Sequence, residues 1–164
     1  QVENHLDDMQ REIVAYLTRI YQGDVSESEA KEISSLMRMT NNIERIGDSV
    51  ENIAQAIEDM IETHLIFTDR AMADLNQLVE KVGEFMDLVI VGMRQRPANF
   101  MNRADSLENA IDAMREKFRD DHVQRLRSSE CGIDQGLVYV SLLTNLEKIG
   151  DYTFNIAEAV AGKK

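Results

Sequence analysis

Asn42-Ile-Glu44-Arg-Ile-Gly47-Asp48-Ser-Val-Glu-Asn52-Ile-Ala-Gln-Ala56-Ile57 returns later in the chain as Asn145-Leu-Glu147-Lys-Ile-Gly150-Asp151-Tyr-Thr-Phe-Asn155-Ile-Ala-Glu-Ala159-Val160. Nine of the sixteen aligned positions are identical, where chance supplies about one, so the chain contains an internal duplication. If both stretches are helical, Glu44, Asp48 and Asn52 stack at i, i+4, i+8 along one side, and so do Glu147, Asp151 and Asn155. A second repeat accompanies the first. Glu3-Asn4-His5-Leu6-Asp7-Asp8-Met9 matches Glu108-Asn109-Ala110-Ile111-Asp112-Ala113-Met114, again with a glutamate and an aspartate four residues apart. The separations are nearly equal, 105 residues for Glu3 to Glu108 and 103 for Glu44 to Glu147, so each half carries two acidic helices in the same order.

Composition points the same way. The chain has 164 residues, is 43% hydrophobic and can bury a core in one domain or two small ones. One proline, Pro97, and few aromatic residues beside abundant Glu, Ala, Leu, Met and Arg predict an all-α fold. The formal charge of −12 excludes nucleic acid as a partner, which would need a basic footprint, and favours cations. The lone Cys131 excludes an internal disulfide framework and suits a reducing compartment. No apolar run reaches the roughly 18 to 20 residues that span a bilayer, and no signal-peptide pattern opens the chain, which predicts a soluble protein.

Apolar periodicity predicts five helices. The first covers about 2 to 22, and Ser26 with Glu29 forms a capping box for a long second helix to about 62. Thr68 or Asp69 caps a third, which closes near Arg94 before Pro97. The fourth runs from about 99 to 128, and Asp134 caps the fifth. The repeats divide the chain into 1–64, with two helices, and 65–164, with three; the third helix has no counterpart in the first half. The expectation is two tandem antiparallel three-helix bundles, the first lacking its N-terminal helix and exposing an apolar groove that favours a homo-oligomer.

Within each half, antiparallel helices can bring four carboxylates together, which must then take up protons or bind cations. The alternative is a solvated charged face with Arg45 and Lys148 beside it. All-oxygen ligation suits ferric iron, manganese, magnesium or calcium, with zinc admissible at high carboxylate content. Asn52 and Asn155 then serve as outer or weak ligands. Gly47 and Gly150 lie inside helices, where glycine costs about 1 kcal/mol relative to alanine. Either a neighbouring helix approaches closely there, or an ion needs the room, or both copies inherited one packing solution. His5, His64 and His122 fall in no ligand spacing and read as solvated. A carboxylate-bridged di-iron enzyme is disfavoured, because its Glu-x-x-His pairs do not occur.

Glu44-Arg-Ile-Gly-Asp48 and Glu147-Lys-Ile-Gly-Asp151, each followed by Asn-Ile-Ala four residues on, resemble the signature of the PhoU family, and the resemblance covers essentially the whole chain. It implies an all-helical protein of two three-helix bundles, multinuclear metal clusters of iron or zinc, and a part in phosphate homeostasis without enzymatic activity. It further implies that Glu3, Asp7, Glu44 and Asp48 ligate in one half, and Glu108, Asp112, Glu147 and Asp151 in the other. Lys148 and Tyr152 depart from the family pattern. A chain cut from a longer one looks most like the PhoU-like cytoplasmic region of a bacterial sodium/phosphate cotransporter, at the inner face of the membrane with the transporter as partner. The alternative is a free-standing PhoU-type regulator of an ATP-driven phosphate uptake system and its sensor kinase.

Overall fold

A computed structural model describes residues 2–95 and 97–163, without the side chains of residues 2–4. It contains α1 (Val2–Tyr21), α2 (Glu27–Glu62), α3 (Asp69–Gln95), α4 (Phe100–Arg127) and α5 (Ile133–Val160), and no strand among the described residues. The all-α expectation holds, with boundaries close to those read from periodicity.

Local chemistry explains the helix ends. The Ser26 hydroxyl accepts from the Glu29 N–H at 3.3 Å while the Ser26 N–H donates to Glu29 Oε2 at 2.8 Å, completing the capping box. The Thr68 hydroxyl, not Asp69, accepts from the Ala71 N–H at 3.2 Å at the start of α3. Asp134 does not cap α5. The cap is Gly132, two residues earlier, and the Gln135 side chain accepts the Gly132 N–H at 2.6 Å, leaving Asp134 in the first turn where its charge suits the dipole. Helices α2 and α4 both close on a left-handed residue, His64 (φ 55°) and Ser129 (φ 59°). The next N–H then reaches back, Leu65 to the Met60 carbonyl at 2.9 Å and Glu130 to the Arg125 carbonyl at 3.0 Å.

Helix α5 is central. It packs with α3 and α4 as a three-helix bundle and presents another side to α2, while among the described residues α1 lies against α2 alone. Leu78 and Phe85 of α3, Ala104 and Ile111 of α4 and Tyr139, Leu143 and Ala157 of α5 are fully enclosed. Helices α2 and α5 run antiparallel. The Asn155 amide donates to Asn42 Oδ1 at 3.3 Å, the Arg45 guanidinium lies 5.7 Å from the Tyr152 ring centroid, and Arg38 donates to the Lys163 carbonyl at 3.2 Å.

The duplication explains an exposed apolar row. Ile43, Val50 and Ile57 of α2 are 42, 51 and 46% exposed, whereas Leu146, Thr153 and Val160, their equivalents in α5, are 7, 2 and 3% exposed. The α5 positions are enclosed within the bundle that includes α3; in the described residues α2 has neighbours only in α1 and α5. Ile13 and Ile20 of α1 are exposed as well, at 40 and 39%.

A second expectation fails. His122 is buried, with its ring 4.9 Å from that of Tyr139. It fits because Gly136 has no side chain; a Cβ there would stand 2.7 Å from His122 Nε2. Its position on the inward side of α4 excludes the solvent that the lack of ligand spacing had suggested.

Candidate metal centre

The two glycines set the approach of the acidic helices. A Cβ at Gly47 would stand 2.7 Å from Leu6 Cδ1, and one at Gly150 would stand 3.2 Å from Ile111 Cγ2. Leu6 and Ile111 are equivalent in the repeat and lie one residue before Asp7 and Asp112. Each glycine therefore lets the preceding acidic helix come close, carrying its aspartate towards the acidic motif on the following helix. Of the three explanations left open by the sequence, close helix approach is the one the packing displays.

The result is two carboxylate groups, one in each half. Single carboxylate oxygens of Asp7, Glu44 and Asp48 lie within 4.8 Å of one another, and so do those of Glu108, Asp112 and Asp151. Neither group contains a histidine or cysteine. Glu147 is not a member of the second group; Arg115 Nη2 lies 3.6 Å from Glu147 Oε1. The Glu3 side chain lies outside the described residues. Asn155 engages Asn42 between α2 and α5, and Asn52 is exposed.

Electrostatics in the second group are strained. Partial burial, then the charges of Asp112, Asp151 and Asp105, raise Glu108 above the ordinary glutamate range. Burial, then Glu147 and Asp112, raise Asp151, against a lowering by Arg115. In the first group Asp7 Oδ1 is enclosed and has no hydrogen-bond partner among the described residues. Crowded carboxylate oxygens with raised proton affinity and an enclosed acceptor without a donor fit a cation, and an all-oxygen set fits a hard one. These residues would hold the ion by charge and by oxygen coordination, and the ion would neutralise the repulsion that brings the protons on.

A family model described as the PhoU domain matches residues 1–57 and 75–160, which include every acidic motif. The chain belongs to the PhoU family. Among PhoU relatives it is similar to phosphate-specific transport system accessory protein PhoU homolog 1 of Thermotoga maritima, at 27% identity over 131 residues, 78% of this chain and 54% of that protein. A PhoU homolog with the same accessory-protein name in Clostridium acetobutylicum is 21% identical over 157 residues, 94% of this chain and 70% of that protein. A third, from Streptococcus pneumoniae, is 23% identical over 131 residues and is matched over 59% of its length. The chain thus spans little more than half of the first relatives it matches.

One feature of the site and one of the bundle core escaped sequence reasoning. Arg115 was not singled out, although its place three residues after Asp112, with Gln10 at the equivalent position, was a readable signal. The buried Asp74–Arg125 pair carried no local signal, because its members lie 51 residues apart.

Proposed function

We propose that this chain is a regulatory, non-enzymatic module of a phosphate transport system, in which the two acidic groups hold metal ions. The observation that carries the reading is the pairing of carboxylates at equivalent places in both halves of a PhoU-family chain. The relatives' names, phosphate-specific transport system accessory proteins, favour the free-standing regulator over the cotransporter region. No described helix is long and apolar enough to cross a membrane. The relatives' names make a membrane transporter, met on its cytoplasmic side, the partner in this reading. The exposed row of Ile43, Val50 and Ile57 supports a protein contact, either with that partner or with a second copy.

Iron and zinc are the ions this reading assigns. The absence of histidine from both groups argues against the di-iron enzyme, whose sites use Glu-x-x-His. A regulatory response requires that metal or phosphate bind one arrangement of the protein better than another. Elemental analysis of protein purified without chelator or affinity metal tests the chemistry. Stoichiometric iron or zinc is expected in the parent and none in a folded Glu44→Ala, Asp48→Ala, Glu147→Ala, Asp151→Ala variant; metal-free parent protein that takes up no added ion removes the metal assignment. Phosphate uptake in cells with and without the gene tests the role, and identical uptake across phosphate concentrations would overturn it.

A further inference from the structure

The two carboxylate groups are built from a duplication, yet they differ at one charged position. Arg115 follows Asp112 by three residues, and its equivalent after Asp7 is Gln10. The difference has a structural correlate. Arg115 Nη2 lies 3.6 Å from Glu147 Oε1, and Glu147 is the motif glutamate that the second group lacks. Gln10 is neutral and donates to Asn41 Oδ1 at 2.9 Å, and the equivalent glutamate, Glu44, stands within the first group. The two side chains of the Arg115–Glu147 pair are 30 and 21% exposed, so solvent screens them only in part.

We propose that Arg115 is a tethered cation that withholds Glu147 from the second group, so that the first group binds metal ions more tightly and fills before the second. The inference rests on the metal-binding reading given above. A guanidinium held beside a carboxylate group opposes an incoming cation through space, and here it also keeps Glu147 from joining the three carboxylates already gathered. Hard-cation affinity follows the number of charged ligands and the rigidity of the site. Arg115 is thus a positioning residue for Glu147, and filling the second group requires the guanidinium to move aside. The two halves become a graded pair in place of two identical sites.

Manganese(II) is a suitable probe, being a hard ion whose free form is counted directly by electron paramagnetic resonance. Titration of the metal-stripped full chain is expected to resolve two classes of site at least about tenfold apart in Kd. Asp48→Asn should abolish the tight class and Asp151→Asn the weak one. Arg115→Gln should tighten the weak class towards the tight one, Gln10→Arg should weaken the tight class, and the double exchange should swap their assignment. Circular dichroism confirms that each variant is folded. Two classes of equal affinity, or a weak class that Arg115→Gln leaves unchanged, would overturn the inference while the metal reading stands. Absence of manganese, iron and zinc binding altogether would remove both.

Discussion

Arg125 Nη1 donates to Asp74 Oδ2 at 3.0 Å inside the α3–α4–α5 bundle, far from either carboxylate group. The Tyr139 hydroxyl donates to the same oxygen at 3.3 Å, and the Arg125 guanidinium lies 5.1 Å from the Tyr139 ring centroid. Burial pushes the Tyr139 hydroxyl up to about 12, so it remains a donor throughout the physiological range. Burial also works against the Arg125 charge, but its hydrogen bonds to Tyr139 and Asp74 and the attraction of those groups more than offset it. Asp74→Ala leaves an uncompensated buried cation and should cost about 3–5 kcal/mol in urea unfolding. Replacing both partners, Asp74→Leu with Arg125→Met, should recover most of that loss, since the penalty lies in the unpaired charge. A single variant within about 1 kcal/mol of the parent would contradict this account.

His122 makes stability depend on pH. Burial, and then the Arg125 charge, lower its pKa from the usual 6.5. The unfolded chain therefore takes up the proton more readily than the folded one. The stability due to neutral His122 is complete above pH 6.5 and falls as the pH drops towards the folded pKa. In thermal or urea unfolding between pH 7.5 and 5, the parent should lose up to about 1.4 kcal/mol per pH unit relative to His122→Gln. Parallel profiles for the two proteins would mean that the imidazole is not held neutral.

Asp151 has the opposite sign. Its raised pKa, due first to burial and then to Glu147 and Asp112, means that the folded state binds the proton more tightly. That stability is present below the ordinary carboxylate range and is lost as the pH rises through the folded pKa. Metal-stripped Asp151→Asn should accordingly melt above the parent at pH 7, by about 1–3 °C for a partly exposed group, and the gap should close near pH 3. Saturating metal should reverse the order at pH 7, because the variant lacks a ligand. A metal-stripped variant that melts below the parent at pH 7 would rule out carboxylate repulsion as the cause.

The two motif glycines should respond differently to alanine. Helix propensity favours each substitution by about 1 kcal/mol. At Gly47 the new Cβ meets the tip of Leu6, a partly exposed side chain that can turn away, so Gly47→Ala should be near neutral. At Gly150 it meets Cγ2 and Cδ1 of Ile111 at 3.2 and 3.3 Å, and Ile111 is enclosed and β-branched. Gly150→Ala should cost about 1–2 kcal/mol net of the propensity gain. Equal changes in unfolding free energy at both sites would show that Ile111 yields as easily as Leu6.

What was legible in the sequence is what the chain determines over a few residues. Helix periodicity, the Ser26–Glu29 box and the stop before Pro97 depend on neighbours within about a turn, so the five helices could be read directly. The duplicated Glu-x-x-x-Asp spacing likewise placed Glu44 with Asp48 and Glu147 with Asp151 along single helices. Tertiary structure alone decided which carboxylates meet between helices. It put Asp7 with Glu44 and Asp48 but held Glu147 by Arg115, from a different helix, and enclosed His122 that the spacing had left in solvent. Helix packing angle and register are set by side chains distant in the sequence, here Leu6 against Gly47 and Ile111 against Gly150, and local pattern carries no record of such pairings.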